Sequence, residues 1–201
     1  MKWENFSSVK ILFVLAVVLV PITGCGAQNL PEPPAIGEAF PNFSLPDLDG
    51  KTHTLEQYKG KIVVLEMCSM HCPYSRGADP HLIELANAYA DKDVVVIGID
   101  SHNSTTAEEI KKYADEVKKT YPILKDEGNK YADVIGAKTT PEVYVISKEG
   151  KLVYHGAFDD RSDPNKKGET AYVENAVKAA LDGKPADPNR VKSWGCSIKR
   201  K

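Results

Sequence analysis

The run Ile62-Val-Val-Leu-Glu-Met67 stops in a short turn, and Cys72 then stands directly before Pro73, where a helical pattern opens. Few chains can place these pieces in that order except as a buried strand, a tight turn and a helix. Proline fits the first position of a helix, because its missing N–H would have no partner there anyway. The cysteine therefore falls at a helix N-terminus, where unpaired N–H groups and the helix dipole favour an anion. A thiol in that setting is expected to have a lowered pKa and to be more often the nucleophilic thiolate. The segment reads as a device for presenting a reactive sulfur.

The N-terminus suggests a compartment. Lys2 and Lys10 flank a polar start, and Ile11 to Val20 is unbroken apolar sequence. A membrane span needs about 20 such residues, so this shorter run reads as a secretory signal. It ends Ile22-Thr23-Gly24-Cys25, which resembles a bacterial lipobox whose cysteine receives lipid (palmitate among the acyl groups) and becomes the mature N-terminus. Gly26, in place of Asp, resembles an outer-membrane sorting pattern. The expected organisation is a lipoprotein signal peptide over 1–24 and a lipid-attachment site with a flexible tether over 25–37. A single folded domain over 38–183 and a tail with Cys196 over 184–201 follow. The expected localisation is exported and lipid-anchored, on the periplasmic or cell-surface side.

Removing Lys2, Glu4 and Lys10 with the signal shifts the formal charge from −2 to −3. So mild a balance argues against a nucleic-acid partner and leaves membrane attachment to the lipid. Cys68, Cys72 and Cys196 remain besides Cys25. Three thiols cannot all pair within one molecule, which favours redox traffic or a free thiol over a structural framework.

Strands and helices alternate along the domain. Phe43 and Leu45 lead through Asp49-Gly50 to Thr52 and Leu55 as a hairpin. Ile62–Met67 and Asp93–Ile99 read as buried strands, with a helix between them carrying Leu82, Leu85, Ala86 and Tyr89 on one face. Pro80 is expected to kink or delay that helix. Thr105-x-x-Glu108 reads as a capping box for a helix bearing Ile110, Tyr113, Ala114 and Val117. A short strand at 122–125, a short helix at 129–136, a hairpin of 142–147 with 151–156, and a helix through Val173, Val177, Ala180 and Leu181 complete the pattern. A mobile tail follows from Lys184. The order implies an α/β fold, with a central mixed sheet flanked by helices and an N-terminal hairpin extension.

These motifs together carry a resemblance. Leu65-Glu66…Cys72-Pro73-Tyr74, Gly136-Ala-Lys-Thr-Thr140-Pro141, Gly150-Lys-Leu-Val-Tyr-His-Gly156 with Asp159-Asp-Arg161, and Gly195-Cys196-Ser-Ile-Lys199 are similar to the thioredoxin-fold redoxins. The match is to the alkyl hydroperoxide reductase/thiol-specific antioxidant group, in its exported, peroxiredoxin-like form. The resemblance implies a thioredoxin-like fold and a thiol oxidoreductase that is peroxidase or disulfide-exchange in type. Cys72 is then the nucleophile, and Thr140-Pro141 the cis-proline loop facing it, whose free backbone groups can pair with an extended substrate. It also implies a proton-relaying buried carboxylate at Glu66; the residues alone leave open whether Glu66 points inward or out. Arg76, one turn beyond Cys72, is a candidate to stabilise a thiolate or a plain surface cation. Pro73, Thr140, Ser69 and Arg76 are the candidate substrate contacts, and His71 reads as a loop residue.

Two departures bear on the chemistry. Ser75 stands where a thioredoxin has its second cysteine, so the usual Cys-x-x-Cys pair cannot form. Ser69 matches the hydroxyl of the peroxiredoxin motif, but Leu65 replaces its proline. A resolving thiol must therefore come from Cys196 on the tail, from Cys68, or from outside. Cys68 would need a folded turn, since an extended four-residue spacer separates Cα atoms by about 13 Å.

Three functions follow. The first is a membrane-anchored, antioxidant thiol oxidoreductase in which Cys72 attacks a peroxide or a protein disulfide. Cys196 or Cys68 resolves the product, and an external thioredoxin-type thiol restores the enzyme. It needs no metal or organic cofactor. The second is a copper-binding protein like the Sco chaperones, using Cys68 and Cys72, although Thr139-Thr140-Pro141 lies where those chaperones have a histidine. The third is a redox-silent adaptor for extended peptides.

Overall fold

The computed structural model describes Met1 and residues 30–200. The signal-peptide reading, Cys25 and the first part of the tether lie outside the described residues. Among those residues no helix is long and apolar enough to cross a membrane.

The elements in chain order are β1 (Ser44–Pro46), β2 (Thr52–Thr54), β3 (Ile62–Cys68), α1 (Pro73–Ala88), β4 (Val94–Asp100), α2 (Ala107–Glu116) and β5 (Ile123–Lys125). Then follow α3 (Lys130–Val134), β6 (Thr139–Thr140), β7 (Glu142–Ile146), β8 (Leu152–Gly156), α4 (Tyr172–Leu181) and β9 (Cys196–Ser197). Five strands form the central sheet in the order β5-β4-β3-β7-β8. β3 runs parallel to β4, and β4 to β5; β7 lies antiparallel to both β3 and β8. The sheet is thus mixed, and β1 with β2 forms the expected antiparallel N-terminal hairpin.

β3 is buried along its whole length, which is why it reads as a continuous apolar run rather than an alternation. Side chains still alternate between the faces of a strand. Val63, Leu65 and Met67 join Phe40, Phe43, Tyr131 and Ile135 on one face. Ile62 and Val64 pack against Ala78, Leu82 and Leu85 of α1 and Val173, Ala176 and Val177 of α4 on the other. By the same alternation Glu66 and Cys68 fall on the α1 side. Neither face of β3 meets solvent, so Glu66 has no outward orientation available.

Four sequence expectations need adjusting. The capping box belongs to Thr106 and Glu109: the Thr106 hydroxyl accepts from the Glu109 N–H at 3.2 Å, and the Glu109 carboxylate from the Thr106 N–H at 2.9 Å. Thr105 is withdrawn from that role because its hydroxyl donates to the buried Asp100 at 2.8 Å. α1 is neither delayed nor ended by Pro80, which lies inside it on an exposed position. Asn129 adopts a left-handed conformation (φ 62°), so the short helix begins at Lys130. The tail is not loose: β9 pairs antiparallel with β6.

Candidate active site

Cys72 is the N-cap of α1, with Pro73 at the first helical position. The turn that delivers it is closed by the Cys72 N–H donating to the Ser69 carbonyl at 3.2 Å. The side chain is 1 % exposed. Its thiol donates to the Thr140 carbonyl at 2.9 Å, and the Thr140–Pro141 peptide is cis. The helix start and the proline loop therefore meet at one sulfur.

The tail completes the site. In the β6–β9 register Thr140 opposes Cys196 and Thr139 opposes Ser197. Gly195 leads into it at φ +133°, and a Cβ there would lie 2.1 Å from the Thr140 carbonyl oxygen, so only glycine permits this approach. Cys196 is half-buried and hydrogen-bonded to Cys72. Burial first, then that hydrogen bond and the charge on Cys72, push the Cys196 thiol up to about 11. Cys196 thus keeps its proton at neutral pH and offers it to Cys72.

The segment is held on both sides. The Trp194 indole N–H donates to the Asp159 carbonyl at 2.8 Å, and its ring packs on Tyr74 with centroids 5.2 Å apart. Beyond the cysteine, the Ile198 N–H donates to the Lys138 carbonyl at 3.1 Å, and the Asn103 N–H to the Lys199 carbonyl at 3.3 Å. Arg200 reaches Asp133 at 2.8 Å.

Behind Cys72 lies a buried polar chain. Glu66 is 0 % exposed. Its Oε1 accepts from the Ser75 hydroxyl at 3.1 Å, while its Oε2 has no hydrogen-bond partner. The Ser75 oxygen in turn accepts from the Ser69 N–H at 3.2 Å. Burial pushes the Glu66 carboxyl up to about 7, with the Lys119 ammonium and the Ser75 hydrogen bond pulling back and Asp79 adding to the rise. Lys119 and Asp79 form a buried ion pair at 2.6 Å, and the Tyr113 hydroxyl also donates to Asp79. A carboxyl with a pKa near neutrality can hold or release a proton there.

The structure thus gathers Cys72, Pro73, Thr140, Pro141, Cys196 and Ser69 at one point, with Glu66 beneath. Cys68 is elsewhere in kind: it packs with Ile110 and Ile123, and burial together with the Glu66 charge raises its thiol well above the ordinary range. Arg76 is exposed, its guanidinium 5.9 Å from the centroid of the Tyr113 ring, and His71 is an exposed loop residue. Among the described residues no group of three or more His, Cys, Asp or Glu side chains is placed to hold a metal ion. Sequence reasoning passed over Lys119, Asp79 and the hydrogen-bonding role of Ser75. A signal existed: the apolar face Leu82, Leu85, Ala86, Tyr89 extrapolates back by helical steps to Asp79 and Ser75.

The AhpC/TSA family profile matches residues 36–155. The chain belongs to the AhpC/TSA family. It is 31 % identical over 118 residues to the thiol-disulfide oxidoreductase ResA of Bacillus anthracis, covering 59 % of this chain and 67 % of that protein. Among solved structures, a hypothetical protein of Sinorhizobium meliloti 1021 superposes with a TM-score of 0.78 at 31 % identity, covering 83 % of this chain and 95 % of that one. An uncharacterized conserved protein of Geobacillus kaustophilus gives 0.77 at 33 %, covering 83 % and 93 %. Peroxidoxin BcpB of Mycobacterium tuberculosis, at 21 % identity and a TM-score of 0.58 over 74 % of this chain and 96 % of that one, shares the fold. This AhpC/TSA member is thioredoxin-like in architecture, and the expected enzyme class, a thiol oxidoreductase, accords with its family and with a cysteine pair at the site.

Proposed function

We propose that this AhpC/TSA protein is a thiol oxidoreductase that cycles between a Cys72/Cys196 dithiol and the corresponding disulfide. The observation that carries the reading is the β6–β9 pairing, which seats Cys196 opposite Thr140 while Cys72 bonds to the Thr140 carbonyl. Cys72, at the positive end of α1, is the attacking sulfur. Cys196, holding its proton, is the resolving sulfur, and a peroxide or a protein disulfide is the oxidant. An external thiol donor of thioredoxin type returns the pair to the reduced state by exchange through a mixed disulfide. Glu66, poised near neutrality, holds the proton that buffers the buried site as charge appears on sulfur. Cys68, packed against apolar side chains, stays out of the cycle. The role is antioxidant, performed at an exported membrane surface through lipid on Cys25.

The test is a nonreducing peptide map after mild peroxide. A Cys72–Cys196 link, absent in Cys72→Ser and in Cys196→Ser, is the expected result. A Cys68–Cys72 link, or a Cys72 that stays reduced, overturns the reading. Metabolic labelling with palmitate, lost in Cys25→Ser, tests the anchor.

A further inference from the structure

The β6 edge reaches the Cys72 sulfur through the Thr140 carbonyl. A polypeptide disulfide offered to Cys72 would have to lay its chain along that edge and place its own cysteine beside the sulfur, as strand-adding ligands do. The tail already does both. Cys196 stands opposite Thr140 in antiparallel register, and Thr140 Oγ1 donates to the Cys196 carbonyl at 3.5 Å. The Trp194, Ile198 and Arg200 contacts fasten it at either end. Cys72 is left 1 % exposed.

We propose that the tail is an internal occupant of the substrate edge, and that the docked tail shuts polypeptide disulfides out of the reduced protein. This rests on the Cys72/Cys196 cycle above and adds how access to its site is gated. A hydroperoxide needs only a path to one sulfur, not a strand's length of free edge. The Cys72 thiolate attacks the terminal peroxide oxygen: an S–O bond forms and the O–O bond breaks. The departing alkoxide takes a proton and leaves as an alcohol (as water from hydrogen peroxide). The Cys196 sulfur then attacks the Cys72 sulfenic acid, an S–S bond forms, the S–O bond breaks, and the hydroxyl leaves as water with the Cys196 proton. Two thiols are oxidised and one hydroperoxide is reduced. A polypeptide disulfide reaches Cys72 only in the fraction of molecules whose tail is undocked, and its rate falls in proportion to that fraction.

Three full-length proteins separate the tail's steric role from its thiol. Cys196→Ser keeps the strap and removes the sulfur. Gly195→Val keeps the sulfur and cannot keep the strap, because its Cβ would meet the Thr140 carbonyl oxygen. Oxidation of Cys72 is followed by quenched alkylation with hydrogen peroxide, tert-butyl hydroperoxide, or insulin as the polypeptide disulfide. The wild type and Cys196→Ser should both react slowly with insulin. Gly195→Val should gain about tenfold or more toward insulin, as expected if the undocked fraction is below a tenth, while its hydroperoxide rate changes far less. The wild type alone must also favour hydroperoxide over insulin. An equal insulin rate in wild type and Gly195→Val overturns the inference, as does a wild type that prefers insulin; truncation after Lys192 reads the same gain should Gly195→Val misfold. If the Cys72–Cys196 link forms but insulin is not excluded, only the tail inference falls. If no oxidant yields that link, the cycle itself falls.

Discussion

Replacing Glu66 by Gln keeps the size and the acceptor for Ser75 while removing the ionisation. In the folded chain the Glu66 carboxyl is pushed from 4.5 to about 7, chiefly by burial. Between those values the native state holds a proton that the unfolded chain has released, so folding stability falls as pH rises through the window. The full benefit of the neutral acid is present below pH 4.5 and is lost as pH passes 7. At about 1.4 kcal/mol per pH unit, the gap from 4.5 to about 7 amounts to about 3 kcal/mol by pH 8. Glu66 is 0 % exposed, so solvent screening removes little of that figure. The assay is urea unfolding followed by tryptophan fluorescence at pH 5, 6, 7 and 8 for both proteins. His102, whose pKa is lowered by burial, titrates in the same range with the opposite slope. The quantity to read is therefore the difference between wild type and Glu66→Gln, in which the histidine cancels. The variant should gain on the wild type by about 2–3 kcal/mol between pH 5 and pH 8. A difference that stays constant across that range refutes the claim that burial holds Glu66 protonated.

The remaining predictions concern its neighbours. Lys119→Met leaves Asp79 buried without its ion-pair partner and should cost about 3–5 kcal/mol in the same unfolding assay; it should also move the Glu66 midpoint upward, since Lys119 pulls that carboxyl down. Cys68→Ala removes one buried sulfur beside Ile110 and Ile123 and should cost about 1 kcal/mol, with the Cys72–Cys196 link in the peptide map unchanged. Ser75→Ala deletes a hydrogen bond that lowers the Glu66 pKa, so the pH at which stability declines should move up. A downward move would contradict the geometry.

The alternation of strands and helices and the mixed sheet were legible because β3, β4 and β7 are apolar runs bounded by turns, and the Cys-Pro helix start marked the reactive corner; the spatial order of the strands was not. Boundaries slipped where side chains were already engaged. Thr105 looks like a cap in sequence, but Asp100 holds its hydroxyl, and the cap moves one residue on. The direction of Glu66 could not be read from β3 alone, because the answer lies in what covers each face of the strand: Phe40, Phe43 and Tyr131 on one side, α1 on the other. Lys119 and Asp79 escaped for a similar reason, being 40 positions apart and joined only in the fold. The tail from Lys184 read as mobile because Pro185 and Pro188 punctuate it. Its order comes from backbone pairing with β6 and from single anchors at Trp194, Ile198 and Arg200, none of which makes a pattern.

Ser75 explains why the second thiol can sit on a tail. In a Cys-x-x-Cys site the position three residues into the helix must serve both as sulfur donor and as neighbour of the buried acid. Here Ser75 does only the second task, bridging the Glu66 carboxyl and the Ser69 N–H without redox chemistry. Forming a Cys72–Cys196 link would therefore consume no member of the polar chain beneath Cys72. In the proposed cycle the second sulfur is carried instead by a two-residue strand, Cys196–Ser197. Short edge pairings of this kind open at low free-energy cost compared with a core helix. The proposed cycle divides labour along that difference: a rigid helix start fixes the attacking sulfur, and a detachable strand supplies the resolving one. The same detachability governs access, since the strand that brings Cys196 to Cys72 is also the strand that an incoming polypeptide would have to displace.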